Sequence, residues 1–328
     1  MFRYLVTALM HRRPPLGRRL AFARARLAAR ASWRWTGREA FPATFAPVQA
    51  MGLTFPNPLG IAAGFDKRGQ LGRRAGALGF GCIEVGTLTP RDAAAYVASK
   101  PARGATGSIL GVNIGMSPET APPYAQHDYL VGLRAVWGQA DYIAINLCSP
   151  RAAELLHPSR REILEALLVA LKREQRALTA VSGRYVPLAV KVRLPPGAVE
   201  LPEVVARLAA LRFDALIAAI DGGPPATSQR YADWQAAEWQ RRACDRIERL
   251  AAVLAGRLPI IAVGGIGSAQ HVAGRLRAGA TLVQLHDALV YEGPWVALAI
   301  QRAGTRGTWP GACATVPLRD ATGPDARP

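Results

Sequence analysis

Eight short apolar runs recur between Leu59 and His286 and constrain the fold more than any other feature of the chain. They are LGIAA (59–63), CIEVG (82–86), ILGVNIG (109–115), YIAINL (142–147), PLAVKV (187–192), ALIAAI (215–220), PIIAV (259–263) and LVQLH (282–286). The runs are continuous rather than alternating, as strands buried on both faces are, and such strands belong to parallel sheets. Helix-compatible segments separate most of them, so the expected fold class is α/β, a (β/α)8 TIM barrel. Functional residues of such barrels gather on the loops after the C-terminal strand ends, where most of these runs finish in a small, polar or charged residue.

The 328 residues, half of them apolar, hold one barrel of about 250 residues plus extensions. The composition divides the chain into an arm over residues 1–40, the barrel over 41–304 with a Pro-containing lead-in at 41–56, and a Gly/Pro-rich tail over 305–328 expected to be disordered. Cys82, Cys148, Cys244 and Cys313 show no metal-ligand spacing, and Cys82 and Cys148 fall within or at the end of expected strands, which reads as a reduced, intracellular protein. Ser159 and Glu162 are spaced as a capping box ahead of a helix whose Leu164, Leu167, Leu168 and Leu171 form one stripe, and Ser268 caps another helix running to Gly279. The connection between the second and third runs has room only for a two-turn helix at 92–99.

The formal charge of +18 is uneven: residues 1–40 carry ten arginines against Glu39 alone, half of the excess. Interleaved with them are Phe2, Tyr4, Leu5, Leu9, Leu16, Leu20, Phe22, Leu27, Trp33 and Trp35, a mixture expected of helices lying on an anionic membrane surface. No run reaches the roughly 20 apolar residues of a spanning helix. A nucleic-acid patch or an acid-poor targeting peptide would show a similar bias; surface attachment accounts better for the aromatic and aliphatic content, and no nucleic acid is expected as a partner.

Several residues fall where chemistry would be placed. PIIAVGGIGS (259–268) reads as a buried strand, a glycine turn and a capped helix start, an anion site at the usual phosphate position of these barrels. Lys191 ends an apolar strand, where an unpaired ammonium is costly to desolvate, so an anionic ligand is expected there, with a lysine snorkelling out of the barrel mouth as the alternative. Asn113 and Asn146 end the third and fourth strands and offer mixed donors and acceptors to a planar heteroaromatic; either can equally cap a loop. Ser149 follows in Asn146-Leu147-Cys148-Ser149-Pro150. Ala63, Gly64 and Lys67 bring small residues and a cation to the first strand end, where a flat ring can approach the backbone.

In order along the chain, MGLTFPNPLGIAAGFDKRGQ, GFGCIEVGTLTPR, LGVNIG, DYLVGLRAVWGQADYIAINLCSP, YVPLAVKV, GRLPIIAVGGIGS and GATLVQLHDALVYEGP resemble the quinone-dependent (class 2) dihydroorotate dehydrogenases. The resemblance runs from the arm to about residue 304. It implies an FMN barrel whose helical arm sits peripherally on the cytoplasmic face of the cell membrane and admits quinone. It also implies oxidation of dihydroorotate to orotate, with a serine base taking a proton while hydride passes to FMN. Matched residue by residue, Ala63, Gly64, Thr87, Asn113, Asn146, Lys191 and Gly265, with His286 and Asp287 at the phosphate end, stand where the family contacts FMN. Lys67 and Asn146 stand at the substrate, and Ser149 stands at the base.

The departures concentrate on the ligand loops. An Asn-Arg-Met-Gly-Phe-Asn-Asn motif that holds orotate in the family is missing from the 18 residues between Arg91 and LGVNIG. Ser-Pro-Asn-Thr becomes Ser149-Pro150-Arg151-Ala152. Asn-Thr-Thr becomes Ile220-Asp221-Gly222, a Gly-Gly-Leu-Ser-Gly loop is replaced by YADWQAAEWQRRACD, and Tyr-Ser-Gly at the FMN phosphate becomes His286-Asp287-Ala288. Two like charges about 4 Å apart cost on the order of 4 kcal/mol at an effective dielectric near 20, about half of a micromolar affinity, so an Asp287 aimed at the phosphate would weaken FMN binding unless His286 compensates. The expected function is therefore an FMN-dependent dihydroorotate dehydrogenase (quinone) with impaired or changed substrate use. A non-catalytic paralogue that keeps the barrel as a membrane-associated binding protein is the alternative, and a different phosphate-binding barrel enzyme is a weaker third.

Overall fold

A computed structural model of the chain describes residues 6, 8–10, 12–36, 45–99, 108–197, 200–221 and 227–304. After a short hairpin of β1 (Val48–Ala50) and β2 (Leu53–Phe55), each apolar run becomes a strand: β3 (Leu59–Asp66), β4 (Cys82–Leu88), β5 (Ile109–Ile114), β6 (Tyr142–Asn146), β7 (Leu188–Arg193), β8 (Ala215–Ala219), β9 (Ile260–Val263) and β10 (Leu282–Leu285). These eight pair in parallel in the closed order β10-β3-β4-β5-β6-β7-β8-β9, the expected TIM barrel.

Alternation along each strand divides the core in two. In β7, Leu188, Val190 and Val192 pack in the cluster shared with the surrounding helices, whereas Ala189 joins Cys82, Tyr142, Ala215 and Leu282 inside the barrel. The hairpin closes the N-terminal end, adding Ala50 and Phe55 to that inner cluster. Its turn residues Met51 and Gly52 both have positive φ (56° and 73°), which the twist of a two-residue hairpin requires. In sequence, residues 41–56 read only as a connection, because a methionine in a left-handed turn is not a hairpin signal.

Two helix starts differ from expectation. The helix α5 carrying Leu167, Leu168 and Leu171 runs Arg161–Ser182, but its N-cap is Arg160 without a side-chain cap, because Ser159 lies in a preceding 3-10 turn (Pro158–Arg160). The Ser159–Glu162 box is therefore not formed. A capping box does form at Thr89 and Asp92, starting α2 (Pro90–Ala98) in the short connection. Ser268 caps α9 (Ala269–Arg277) as expected, its side chain accepting from His271 N.

The arm contains α1 (Pro14–Thr36). Gly17, Ala21, Ala25 and Ala29 are buried at four-residue intervals, a stripe of small residues that lets the helix lie close on the barrel. It docks beside β3: Arg26 Nη1 donates to Gln70 Oε1 (2.7 Å) and Phe22 packs edge-on against Phe65. Arg13, Leu16, Arg19, Leu27 and Arg30 face outward. No helix among the described residues is long and apolar enough to cross a membrane. Phe2, Tyr4, Leu5, the side chains of Trp33 and Trp35, Cys313 and the tail 305–328 lie outside the described residues.

Candidate active site

A cavity of about 550 Å³ opens at the C-terminal strand ends. Ala63, Gly64, Lys67, Thr87, Asn146, Ser149, Lys191, Gly265, His286 and Asp287 all line it, so ten of the eleven residues singled out from sequence converge on one hollow. Asn113 does not reach it. It is fully buried one layer below, beneath Thr87.

A polar relay links the floor to the rim. Glu84, fully buried, accepts from Asn113 Nδ2 at Oε2 (3.1 Å) and from Tyr142 OH (3.0 Å) and Gln284 Nε2 (2.5 Å) at Oε1. Burial and the neighbouring Glu84 push the Tyr142 phenol well up, which keeps it a donor. Because Asn113 points its amide nitrogen at Glu84, its oxygen faces Thr87, whose hydroxyl donates to it (2.8 Å). Thr87 in turn accepts from Asn146 Nδ2 (2.8 Å), and Asn146 Oδ1 accepts from Cys148 N (2.9 Å). Glu84 below and a backbone N–H above thus orient both asparagine amides.

Ser149 is the N-cap of the one-turn helix α4 (Pro150–Ala153), its Oγ accepting from Ala152 N (3.3 Å). A hydrogen bond donated to an oxygen favours its charged form. Asp66 orders the loop after β3 by accepting from the backbone N–H groups of Gln70, Leu71 and Gly72, leaving the adjacent Lys67 exposed at the rim. Burial raises the Asp66 pKa against those three bonds, which lower it.

At the glycine turn, Gly264 and Gly265 have φ of 113° and 66°. Close packing also demands glycine here: a Cβ on Gly264 would lie 2.5 Å from Asp221 Oδ2, and one on Gly265 would lie 2.2 Å from the Trp239 ring. Gly265 O accepts from Gln240 Nε2 (2.6 Å) and Gln235 Nε2 (3.3 Å), donors carried by α7 (Ser228–Gln235) and α8 (Ala237–Leu254) in the YADWQAAEWQ stretch. After β10, His286 Nδ1 and Asp287 Oδ1 lie 2.9 Å apart with both side chains nearly buried. Asp287 therefore has a partner of its own rather than a bare carboxylate facing the cavity.

Arg151 does not stand where the sequence suggests, and a second arginine, not singled out from sequence, does. Arg151 turns away from the cavity, donating to Pro118 O (3.3 Å) and pairing with Glu154 (3.1 Å). Arg193, at the end of β7, lines the cavity instead, with Nη2 donating to Cys148 O (3.2 Å) and Nη1 to Asp221 O (3.4 Å). Burial pushes the Cys148 thiol pKa up, with Lys191 and then Arg193 opposing it. Arg18 of the arm and Tyr231 of α7 also reach the cavity. Arg193 was legible through strand alternation, two residues beyond Lys191; Arg18 and Tyr231 carried no local signal.

The Dihydroorotate dehydrogenase family model matches residues 46–96 and 92–303, the two stretches meeting in the short β4–β5 connection. Curated relatives named dihydroorotate dehydrogenase (quinone) include one from Chromobacterium violaceum, 37% identical over 289 residues (78% of this chain, 84% of the relative). One from Shewanella frigidimarina is 34% identical over 290 residues (78% of this chain, 86% of the relative). A crystal structure of DHODH from Eimeria tenella in complex with ferulenol shares the fold, with a TM-score of 0.68 at 23% identity, over 91% of this chain and 93% of that one. With the family matched over nearly the whole barrel and relatives above 30% identity over most of their length, this chain belongs to the dihydroorotate dehydrogenase family.

Proposed function

We propose that the protein is an FMN-dependent dihydroorotate dehydrogenase that delivers electrons to quinone. The observation that carries the reading is the convergence of Ser149, Asn146, Lys67 and Lys191 on one cavity in a chain of this family. The non-catalytic alternative is not favoured, since Ser149 and both cations remain at the cavity.

The residues present fit FMN. Ala62, Ala63 and Gly64 form a wall of small side chains, Thr87 and Asn146 offer polar atoms of fixed orientation, and Gln284 at the cavity floor keeps a buried Oε1 without a partner. At the phosphate end the Gly264–Gly265 turn and His286 would hold the anion, with the Asp287 carboxylate bonded to His286. Asn113 acts from below, by setting the Thr87 hydroxyl. When bound, FMN supplies the acceptor for the hydride lost by dihydroorotate. Ser149 takes the proton, Asn146 and Lys67 hold the substrate, and Lys191 supplies a positive charge at the cavity floor.

The outward face of α1, with Leu16 and Leu27 among arginines, suits attachment to an anionic membrane surface, and Arg18 on the same helix reaches the cavity. This supports a peripheral place on the cytoplasmic face with quinone entering beside the arm. Ser149→Ala tests the reaction: the variant should retain bound flavin, visible in its absorption spectrum, and lose flavin bleaching by dihydroorotate. Unchanged turnover would refute the assigned base.

A further inference from the structure

We propose that Arg193 grips the substrate's carboxylate and sets the preference for an acid over its neutral analogues; this deepens, and rests on, the dehydrogenase reading. Alternation along β7 turns Ala189, Lys191 and Arg193 to the inside of the barrel, one above another. Ala189 lies in the apolar floor, Lys191 pairs in register with Asn146 and Ile217, and Arg193 pairs with Ala219 in the last layer before the mouth. A strand therefore holds the arginine, and the loops it touches carry the chemistry. Its Nη2 bonds the carbonyl of Cys148, the peptide unit whose nitrogen belongs to Ser149, and its Nη1 bonds the carbonyl of Asp221 across the cavity edge.

Both acceptors are neutral carbonyls, so these bonds fix the guanidinium without neutralising it, and the Asp221 carboxylate, which also lines the cavity, lies against Gly264. Two of its five N–H groups are used by them, and the fork retains donors on the cavity it lines. A half-buried, pre-oriented guanidinium is the group best matched to a carboxylate, which it can bind through two parallel hydrogen bonds. The other cations are less suited. Lys67 and Arg68 are exposed at the rim, Arg18 is carried by α1 outside the barrel, Lys191 stands a layer deeper, and Arg151 is bound to Glu154 outside the cavity. Arg193 is thus the cavity arginine that bonds the peptide unit leading into Ser149.

The test uses the full-length protein loaded with FMN, with calorimetric binding of orotate and of its carboxamide to wild type, Arg193→Gln and Arg193→Lys. Losing a charge-assisted contact should weaken orotate binding by about 10- to 100-fold in Arg193→Gln while the carboxamide changes by no more than about twofold, and Arg193→Lys should fall between. Equal weakening of both ligands, or of neither, would overturn the proposal in favour of a purely loop-tying arginine. The pair of ligands needs no turnover, so the two readings fail separately. A wild-type protein inactive toward dihydroorotate that still discriminates through Arg193 would sink the reaction and keep the grip, and an active enzyme whose Arg193→Gln variant still discriminates would do the reverse.

Discussion

Replacing Glu84 by glutamine changes one oxygen to an amide nitrogen and should frustrate the whole relay above it. The glutamine oxygen can still accept from Tyr142 and Gln284, but its NH2 group then opposes Asn113 Nδ2, donor against donor. Turning the Asn113 amide over relieves that clash and creates another, because Asn113 would then donate to a Thr87 hydroxyl that already accepts from Asn146 and would have lost its own acceptor. Asn146 cannot turn to compensate, since its oxygen is held by Cys148 N. Turning the new amide over instead satisfies Asn113 but sets its NH2 against Gln284, whose own amide must turn and leave its NH2 where Oε1 now has no partner. One buried donor is left unmatched in each arrangement, which costs about 1–3 kcal/mol. Urea unfolding should show this as a lower midpoint at unchanged slope. Adding Asn113→Asp restores complementarity, with one new oxygen accepting from the glutamine and the other from Thr87. Asn113→Asp alone sets two carboxylates together, so the double variant should be more stable than the sum of the singles by about 1 kcal/mol or more. A Glu84→Gln protein within about 0.5 kcal/mol of wild type, or a double variant no better than additive, would refute the relay.

Two further outcomes follow from the site and its surroundings. Asp287→Asn removes the carboxylate at the proposed phosphate position and should tighten FMN binding about tenfold, near 1.4 kcal/mol, as read by flavin fluorescence on titration; weaker binding would show that the His286–Asp287 pair itself holds the phosphate. Burial, and after it Arg275, lower the His271 pKa from 6.5 to about 4, so the folded protein holds this imidazole neutral while the unfolded chain takes up a proton below 6.5. Its stabilising effect is therefore present above about pH 6.5 and lost as pH falls toward 4, and His271→Gln should flatten that part of the curve of unfolding midpoint against pH.

The eight strands are legible because burial on both faces leaves an uninterrupted apolar run, and the ends of those runs mark the cavity. Ten of the residues read from those ends and from the family's motifs meet there. Strand alternation also contained Arg193, although an apolar run is naturally read as stopping at Val192. What no local pattern contained was the partner each polar group would choose. Ser159 and Glu162 have the spacing of a capping box, yet the chain enters α5 through a 3-10 turn. Arg151 follows Ser149-Pro150 and is drawn away by Glu154, and Asp287, read from the sequence as facing a phosphate, is bonded to His286. Glu84 carries no signal of its own within CIEVG, and its three donors come from β5, β6 and β10, the last 200 residues along the chain. Hydrophobic burial has a period set by the backbone and so is written locally in the sequence, whereas hydrogen bonds and ion pairs are short-ranged and directional, and only the closed barrel brings their two ends within reach.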